Sequence, residues 1–313
     1  MQVKKLISIV IPAFNEGDCV PILYEGIAKV IDQLNNYDFE VIIVDNGSFD
    51  HTFDELKKVS EKDNRFKILK LTRNCGPDGG ISAGLKFAKG DAAIITYADL
   101  EDPPEMFAKF LEKWEEGYQH VYGITRARQG TWLRKQNAKL FYFLINKLTK
   151  NGVPKNVADF RLVDRKVYEA MNQITEKNRF LRGLFSWLNY KSIGIPYDRN
   201  LKRAAGKSKA TTFVVIAVAL RAIMIFSNFP LRIAGFVGGA TSVFSFLGII
   251  YFSTQYFLFD NLPFNGFGTI ICFMLLMFGI MFMMIWIIGE YIALIYDEVK
   301  GRPLFLVEEA IGF

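Results

Sequence analysis

Short apolar runs alternate with amphipathic stretches through the first third of the chain. The runs predicted as strands are Ile7 to Ile11, Phe39 to Val44, Phe66 to Leu71 and Ala92 to Tyr97. The stretches with helical spacing of apolar residues are Val20 to Leu34, Thr52 to Glu61, Gly79 to Ala88 and Pro104 to Glu116. Strands that alternate with helices of this length predict an α/β fold with a mostly parallel sheet covered on both faces.

The last third of the chain has a different pattern, because Ile233 to Phe259 and Asn261 to Gly289 contain no charged residue. Each exceeds the roughly 20 residues that cross a hydrocarbon core of about 30 Å. Arg232 precedes the first segment and Lys300 follows the second, whereas the connection between them lacks Lys and Arg. This charge distribution predicts a transmembrane hairpin with both outer ends in the cytoplasm.

The stretch before the hairpin, Thr211 to Phe226, is apolar apart from Arg221. It is predicted to be an interfacial helix that brings Lys207 and Lys209 to the membrane surface; a third span is the alternative, which would bury Arg221. The predicted organisation is a cytosolic domain over 1–209, a juxtamembrane amphipathic helix over 210–230, two transmembrane helices within 231–296 (about 233–259 and 266–289), and a cytosolic tail over 297–313.

Composition agrees with a membrane-bound protein that handles anions. The chain has 313 residues, is 51% hydrophobic and carries a formal net charge of +6. Its basic residues thicken between Arg126 and Lys209, which fits an anionic bilayer or phosphate ligands, and no base-reading motif indicates nucleic acid. The three widely spaced cysteines indicate neither a disulfide framework nor a zinc site. The N-terminal apolar run, Leu6 to Pro12, is too short for a signal peptide, so we expect the first domain to stay in the cytosol.

Polar clusters follow three of the predicted strands. Because ligands of open α/β sheets bind beyond the carboxyl ends of parallel strands, the clusters predict one pocket. They are Pro12-Ala13-Phe14-Asn15-Glu16, Asp45-Asn46-Gly47-Ser48-Phe49-Asp50 and Asp99-Leu100-Glu101-Asp102.

The residue types in these clusters suit a nucleotide. Glu16 and Asp45 could accept hydrogen bonds from a base or from ribose hydroxyls. Gly76, Gly79 and Gly80 open a helix start, where free N–H groups favour phosphate or sugar oxygens. The alternative interpretation is that the glycines only make turns and that Glu16 caps a helix.

The third cluster predicts a metal site. Asp99 and Glu101 would point to the same side if the strand continued through them, and two such close carboxylates repel unless a cation or proton lies between them. They are therefore predicted to bind Mg²⁺ or Mn²⁺. A helix cap is the alternative, and it accounts for Asp102 before Pro103 but not for the other two.

Several motifs resemble family 2 glycosyltransferases with the A-type fold, which is Rossmann-like with a mostly parallel sheet. Those at the strand ends are Ile9 to Glu16, Val44 to Ser48 with Asp50 and Thr52, and Ala98 to Pro104. Later motifs are similar to the polyprenyl-phosphate branch, which includes dolichol-phosphate mannose synthase and bacterial undecaprenyl-phosphate glucosyltransferases. These are Asp159 to Arg165, Asn178 to Gly183, Arg203 to Lys209, Gly289 to Tyr291 and Val299 to Leu304.

The resemblance implies an enzyme that transfers a sugar, with inversion, from a UDP- or GDP-sugar to a polyprenyl phosphate at the cytoplasmic face of a bacterial inner membrane. Asp99, Asp159 and Arg126 would be catalytic, with Asp159 near the acceptor. The nucleotide-sugar would contact Pro12, Phe14, Glu16, Val44, Asp45, Asn46, Gly76, Ala98 and Arg203. The lipid phosphate would contact Arg126, Arg134, Lys135 and Lys209. Asp99 and Glu101 would bind the metal, and the resemblance also implies a homo-oligomer, a tetramer.

The chain departs from the family pattern at three positions. The family usually has Asp where this chain has Tyr97, Gln where it has Glu101, and Asp where it has Asn46. The first two changes exchange one carboxylate for another, so metal coordination could shift without being lost. An amide at 46 can both donate and accept a hydrogen bond, which leaves the preferred base open.

Other functions remain open at this point. A processive polysaccharide synthase would need several more spans and a product-binding motif, neither of which is seen. A binding protein descended from a transferase is suggested by Tyr97 and Asn46. His51 and His120 lie in no catalytic motif and are predicted to be surface residues, which argues against a His-based hydrolase.

Overall fold

The computed structural model describes residues 4–126, 157–199, 229–259 and 267–313. The chain divides into two units. One, the sheet unit, comprises Met1–Val215 and Arg302–Phe313; the other, the helical unit, comprises Ile216–Gly301. Each unit is described by itself.

The elements that the sequence predicted are present in the first half of the sheet unit. In chain order they are β1 (Lys5–Ala13), α1 (Val20–Ile31), β2 (Tyr37–Asp45), α2 (Thr52–Lys62), β3 (Phe66–Leu71), α3 (Gly76–Phe87), β4 (Ala92–Ile95) and α4 (Met106–Glu115). Their boundaries lie within three residues of the prediction: α3, for example, starts three residues earlier, and β4 ends two residues earlier.

The rest of the sheet unit contains β5 (His120–Thr125), β6 (Val157–Asp164), α5 (Arg165–Gln173), α6 (Leu181–Leu188), β7 (Ser192–Tyr197) and, at the end of the chain, β8 (Val307–Ile311). The sheet has eight strands in the order β7-β5-β6-β4-β1-β2-β3-β8. Its four central strands, β4, β1, β2 and β3, are parallel. β6 is antiparallel to β4 and β5, and β8 is antiparallel to β3. The predicted α/β fold is confirmed, with antiparallel strands added outside the parallel centre.

Both faces of the sheet are covered. On one face, Ile7, Ile9 and Ile11 of β1 pack with residues of α1 and α4. On the other face, α3 lies so close to the sheet that a Cβ at Gly84 would be 2.3 Å from Val10 Cγ1. Glycine is required there, because any side chain would push α3 away from the sheet. The start of α3 lies next to Asn46 of the second polar cluster.

The strand β8 lies within the segment that the sequence predicted as a tail. Its two outward carboxylates are matched by lysines of the neighbouring elements: Lys70 Nζ lies 2.7 Å from Glu308 Oε1 and Lys57 Nζ 3.3 Å from Glu309 Oε1. The C-terminal Phe313 contacts Phe87 edge-on, with ring centroids 5.3 Å apart. The chain end is therefore part of the sheet unit.

The helical unit contains α7 (Phe229–Phe259) and α8 (Phe267–Val299), which cover the two segments predicted as spans. Pro230–Gly248 and Phe273–Val299 are long and apolar enough to cross a membrane, with 6% and 0% of their residues buried. A core helix of a soluble protein would be mostly buried, so the exposed apolar surface favours lipid contact. The two helices contact each other where a Cβ at Gly238 would lie 3.2 Å from Met284 Sδ.

A buried carboxylate at the amino end of the sheet makes folding sensitive to acid. Glu40 is 3% exposed, and it accepts hydrogen bonds from Ser8 Oγ at 2.6 Å, Lys67 Nζ at 2.8 Å and the Lys89 backbone N–H at 2.7 Å. Burial alone would raise the pKa of Glu40, but these donors lower it below its ordinary value of 4.5.

We therefore expect Glu40→Gln to destabilise the full-length protein by roughly 1–3 kcal/mol at neutral pH. A carboxylate with a lowered pKa contributes stability above its unfolded pKa and loses it as the pH falls through the folded value. The gap in thermal midpoint between the variant and the unchanged protein should thus narrow from pH 6 towards pH 3. Glu61→Gln, on the exposed side of α2, is the control. A constant gap across this range would contradict the assignment.

Candidate functional site

The carboxyl ends of β1, β2 and β4 meet at one edge of the sheet. Ala13 is in register with Asp45, and Val10 with Ile95. The loops that carry the three polar clusters therefore start side by side, as the sequence predicted from their positions.

The loops after β1 and β2 are bound to each other. The Asn15 N–H donates to Ser48 Oγ at 3.0 Å, and the Phe49 N–H donates to Asn15 Oδ1 at 2.9 Å. The Glu16 N–H donates to Thr52 Oγ1 at 2.9 Å, and its Oε2 accepts from Cys19 Sγ at 3.2 Å. The Glu16 side chain does not cap α1. Phe14 contacts Phe49 edge-on, with ring centroids 6.2 Å apart.

Asp45 is fully buried at the end of β2. Its Oδ1 accepts from the Ser48 N–H at 3.0 Å, and its Oδ2 has no hydrogen-bond partner among the described residues. Burial raises the pKa of this carboxyl, against the hydrogen bonds from Ser48, which lower it. A buried carboxylate oxygen without a donor is costly, so Asp45 is prepared to accept a hydrogen bond from a ligand.

Three other predicted nucleotide contacts are buried at this edge. Val44 and Ala98 pack into the core, where they are 0% and 2% exposed. Pro12 lies under α3, since a Cβ at Gly80 would be 3.0 Å from the Pro12 Cβ. These residues shape the floor of the site through packing.

Asn46 uses both halves of its amide. Its Oδ1 accepts from the Cys75 N–H at 2.9 Å, while its Nδ2 donates to the Gly76 carbonyl at 2.8 Å. The same Nδ2 lies 3.3 Å from Asn74 Oδ1. Gly76 begins α3 with a φ of +74°, a backbone conformation that glycine adopts readily. An aspartate at 46 could not donate to the Gly76 carbonyl, so the asparagine holds the start of α3 against the end of β2.

The acidic loop after β4 does not continue the strand. Leu100 has a φ of +51°, so Asp99 and Glu101 flank a residue in the left-handed conformation. The sequence argument assumed that a continuing strand aligns these two side chains, and that assumption is wrong. Asp99, 9% exposed, accepts the Glu101 N–H on Oδ1 at 3.2 Å. The Glu101 carboxylate forms an ion pair with Arg199, with Nη1 and Oε2 3.1 Å apart.

Asp102 has a structural role that the sequence did not reveal. α4 begins later, at Met106, so Asp102 does not cap it and that interpretation is wrong. Its Oδ1 accepts from Tyr197 Oη at 2.5 Å and from Arg199 Nε at 3.1 Å. Arg199, just after β7, therefore holds two carboxylates of the loop.

Asp159, predicted as catalytic, lies on β6 in contact with Arg182 of α6. Arg182 Nε and Nη2 donate to its two carboxylate oxygens, both at 2.6 Å. On its other side, Arg161 is 2% exposed and donates to the backbone carbonyls of Ala158 and Asp159. The sequence did not predict these arginines as site residues.

The predicted lipid-phosphate residues are described only in part. Arg126 is 60% exposed, and its Nη1 lies 3.5 Å from Asp198 Oδ2. Arg134, Lys135, Arg203 and Lys209 lie outside the described residues, as does most of the predicted juxtamembrane helix.

One surface prediction is wrong. His51 has a half-exposed side chain, but His120 is 6% exposed and stacks on Phe185 with ring centroids 5.4 Å apart. Burial, and then the charge of Arg161, lower the pKa of His120 well below 6.5. It is a neutral core residue of β5.

Comparison with known proteins shows the family to which the chain belongs. Residues 8–171 match the family described as "Glycosyl transferase family 2". They contain the three polar clusters and Asp159. The uncharacterized glycosyltransferase YkcC of Bacillus subtilis is 38% identical over 307 residues, which is 97% of this chain and 94% of the relative. This chain belongs to glycosyltransferase family 2.

Two similar family members are named after bactoprenol. The SfII prophage-derived bactoprenol glucosyl transferase of Shigella flexneri is 33% identical over 97% of this chain and 98% of its own length. The prophage bactoprenol glucosyl transferase homolog of Escherichia coli is 33% identical over 96% and 98%. Among solved structures, glucosyl-3-phosphoglycerate synthase from Mycobacterium tuberculosis, in complex with Mn²⁺, UDP and phosphoglyceric acid, matches with a TM-score of 0.49 at 18% identity, covering 70% of this chain and 76% of that one.

The family membership and the mixed sheet confirm the predicted A-type glycosyltransferase fold. The site residues inferred from the resemblance stay predictions. At the edge of the sheet lie the end of β2, the start of α3 and the acidic loop, with Asp45, Asn46, Gly76, Asp99 and Glu101. Asp159 lies on β6 and is linked to the segment before the acidic loop by Tyr97, whose hydroxyl is 3.1 Å from Asp159 Oδ2.

The hydrogen bond that Asn46 donates to the Gly76 carbonyl can be tested by substitution. Asn46→Asp would place a carboxylate oxygen against the Gly76 carbonyl and remove a donor at a position that is 3% exposed. We expect a loss of roughly 1–3 kcal/mol of stability, seen as a lower thermal midpoint of the full-length protein. Asn36→Asp, at an exposed position, should leave the midpoint unchanged. An equally stable Asn46→Asp protein would show that the donated hydrogen bond contributes nothing.

Proposed function

We propose that this chain transfers a monosaccharide, with inversion, from a nucleotide-sugar to a polyprenyl phosphate, giving a lipid-phosphate-linked sugar. The observation that carries the proposal is the full-length similarity to bactoprenol glucosyl transferases. It extends over 97% of this chain, and so includes the two apolar helices as well as the sheet unit.

The donor site is proposed at the edge where β1, β2 and β4 end. Asp45 offers its unpartnered buried oxygen to a donor group of the base or ribose. The partly buried ring of Phe14 and the exposed ring of Phe49 flank the neighbouring loop, where an aromatic face can contact a base. A UDP- or GDP-sugar fits this chemistry.

A divalent cation, Mg²⁺ or Mn²⁺, fits the donor set of the acidic loop. Asp99 and Glu101 offer carboxylate oxygens, but among the described residues no group of three or more His, Cys, Asp or Glu side chains could hold a metal. Hard cations are often bound by one or two carboxylates together with substrate phosphates. Asp99 and Glu101 would therefore hold the ion with the donor diphosphate, where it would stabilise the charge that develops on the leaving diphosphate.

The acceptor needs little activation. A phosphate monoester with a second pKa near 6 is largely dianionic at neutral pH, so no strong general base is required. The remaining problem is to hold this anion close to an anionic donor. Cationic side chains solve it, since Arg126 and Arg182 place positive charge on the acceptor side of the site while Asp159 orients Arg182.

The proposed location is the bacterial inner membrane, with the sheet unit in the cytoplasm. β8 follows α8 in the chain but belongs to the same sheet as the strands that precede α7. Strands of one sheet lie on one side of a membrane, so the chain crosses it an even number of times between β7 and β8. Two crossings, by α7 and α8, satisfy this condition.

A reporter inserted at Pro263 should be reached from the periplasm, and one fused after Phe313 should be reached only from the cytoplasm. Access from the same side for both reporters would refute the hairpin. The implied tetramer stays a prediction.

The function is tested with purified full-length protein in lipid nanodiscs, undecaprenyl phosphate and labelled nucleotide-sugars, with Mg²⁺ or Mn²⁺. A lipid carrying one sugar is the expected product. A polymer would favour a processive synthase, and retained lipid binding without turnover of any donor would favour a binding protein. Either result would overturn the proposal.

The role of Glu101 can be tested without turnover. If Glu101 is a ligand of the cation, Glu101→Gln should weaken Mn²⁺ binding in the presence of UDP by about tenfold, because an amide oxygen carries no charge. The measurement is the electron paramagnetic resonance signal of free Mn²⁺ during titration. Glu105→Gln, at an exposed position of the same loop, should bind Mn²⁺ normally. Unchanged affinity of Glu101→Gln would leave Glu101 as a partner of Arg199 alone.

A further inference from the structure

Tyr97 stands where the family usually has a carboxylate, and the sheet register explains what it contacts. β4 and β6 are antiparallel, with Ile95 opposite Arg161. Continued by two residues, this register places Tyr97 directly opposite Asp159. Its hydroxyl donates to Asp159 Oδ2 at 3.1 Å. The contact therefore joins the segment that follows β4 to the beginning of β6.

The carboxylate that Tyr97 contacts is already bound by a cation. Arg182 forms a two-point hydrogen-bonded pair with Asp159, which fixes both the position and the plane of the carboxylate. Arg161 Nη2 lies 3.7 Å from Asp159 Oδ1. Burial alone would raise the pKa of Asp159, but Arg182, Arg161 and the Tyr97 hydroxyl lower it far below its usual range. The Asp159 carboxylate thus accepts hydrogen bonds from Arg182 and Tyr97 and forms an ion pair with Arg161.

A second carboxylate lies near the pair. Burial and the charge of Asp159 raise the pKa of Asp78, in the first turn of α3, to about 6. Like charges directly opposite on neighbouring strands are unfavourable. An aspartate at 97 would thus add a third carboxylate to the group that already contains Asp159 and Asp78, whereas the tyrosine adds a neutral donor.

The carboxylate absent at 97 is present at Glu101, where Arg199 balances its charge. The two departures from the family pattern are therefore explained by their separate partners. Tyr97 donates a hydrogen bond to the ion pair between Asp159 on β6 and Arg182 on α6. Glu101 forms an ion pair with Arg199, just after β7.

We infer that Tyr97 is a positioning residue for the transfer reaction: its hydroxyl holds the Asp159 carboxylate in the orientation that aligns Arg182 with the acceptor phosphate. The inference rests on the proposed function. Tyr97 needs no contact with either substrate, because it acts through Asp159.

The kinetic test compares Tyr97→Phe, which removes only the hydroxyl, with Tyr97→Asp and the uncharged, similarly sized Tyr97→Asn. For Tyr97→Phe we expect kcat to fall about tenfold, with the KM for the nucleotide-sugar within about twofold and the thermal midpoint lowered by the loss of the hydrogen bond to Asp159. Tyr97→Asp should be slower than Tyr97→Asn, because it alone adds charge opposite Asp159. Tyr168→Phe is the matched control: its hydroxyl donates to the Gly90 carbonyl at the other end of the sheet, and its removal should leave kcat unchanged.

A stability cycle tests the contact without turnover. Tyr97→Phe, Asp159→Asn and the double variant should give shifts in thermal midpoint that are not additive, because the two groups share one hydrogen bond. Additive shifts, an unchanged kcat in Tyr97→Phe, or a Tyr97→Asp protein as active as the original would each overturn the inference. An original protein that transfers no sugar would instead overturn the proposed function, and the stability cycle would still decide whether Tyr97 and Asp159 are coupled.

Discussion

The parallel pairing of β1 with β2 and β4 is the constraint on which the candidate site depends. It brings the ends of three strands that are far apart in sequence to one edge, so that three loops can bind one ligand. A slip of one residue in any of these pairings would turn Asp45 away from the edge and replace it by a neighbour. The close fit of α3 at Gly84 and the amide bridge of Asn46 both secure this arrangement, because they hold the helix that follows β3 against the ends of β1 and β2.

The site adds a second requirement, which is that the buried carboxylates of Asp159 and Asp102 have partners from elsewhere in the chain. Asp159 on β6 is bound by Arg182 of α6, and Asp102 after β4 is bound by Tyr197 and Arg199 at the end of β7. Removing one partner of such a pair leaves an uncompensated buried charge, which costs more than the pair contributes. The antiparallel side of the sheet therefore contributes charged pairs to the site: Asp159 with Arg182, and Arg199 with Asp102 of the acidic loop.

The sequence predicted the parallel half of the sheet well, because those strands are continuous apolar runs between amphipathic helices. It did not predict β6, in which Asp159 and the fully buried Arg161 interrupt the apolar pattern, nor β8, whose glutamates made it resemble a tail. In both strands the polar residues are satisfied by partners distant in sequence, and periodicity carries no information about such pairs. The same limit applies to His120, which is neutral and buried among aromatic rings. The site residues on the parallel side were predicted from strand-end position and family resemblance, whereas the contacts of Arg182 and Arg199 required the tertiary structure.

The strand β8 has a consequence for biosynthesis. It is synthesised after both apolar helices, yet it covers the outer edge of β3. While the ribosome is still producing α7 and α8, that edge has unpaired N–H and C=O groups, which can recruit strands of other chains. Completion of the sheet therefore requires that α7 and α8 have been synthesised first, and a nascent chain stalled before residue 307 keeps an open edge that can pair with foreign strands.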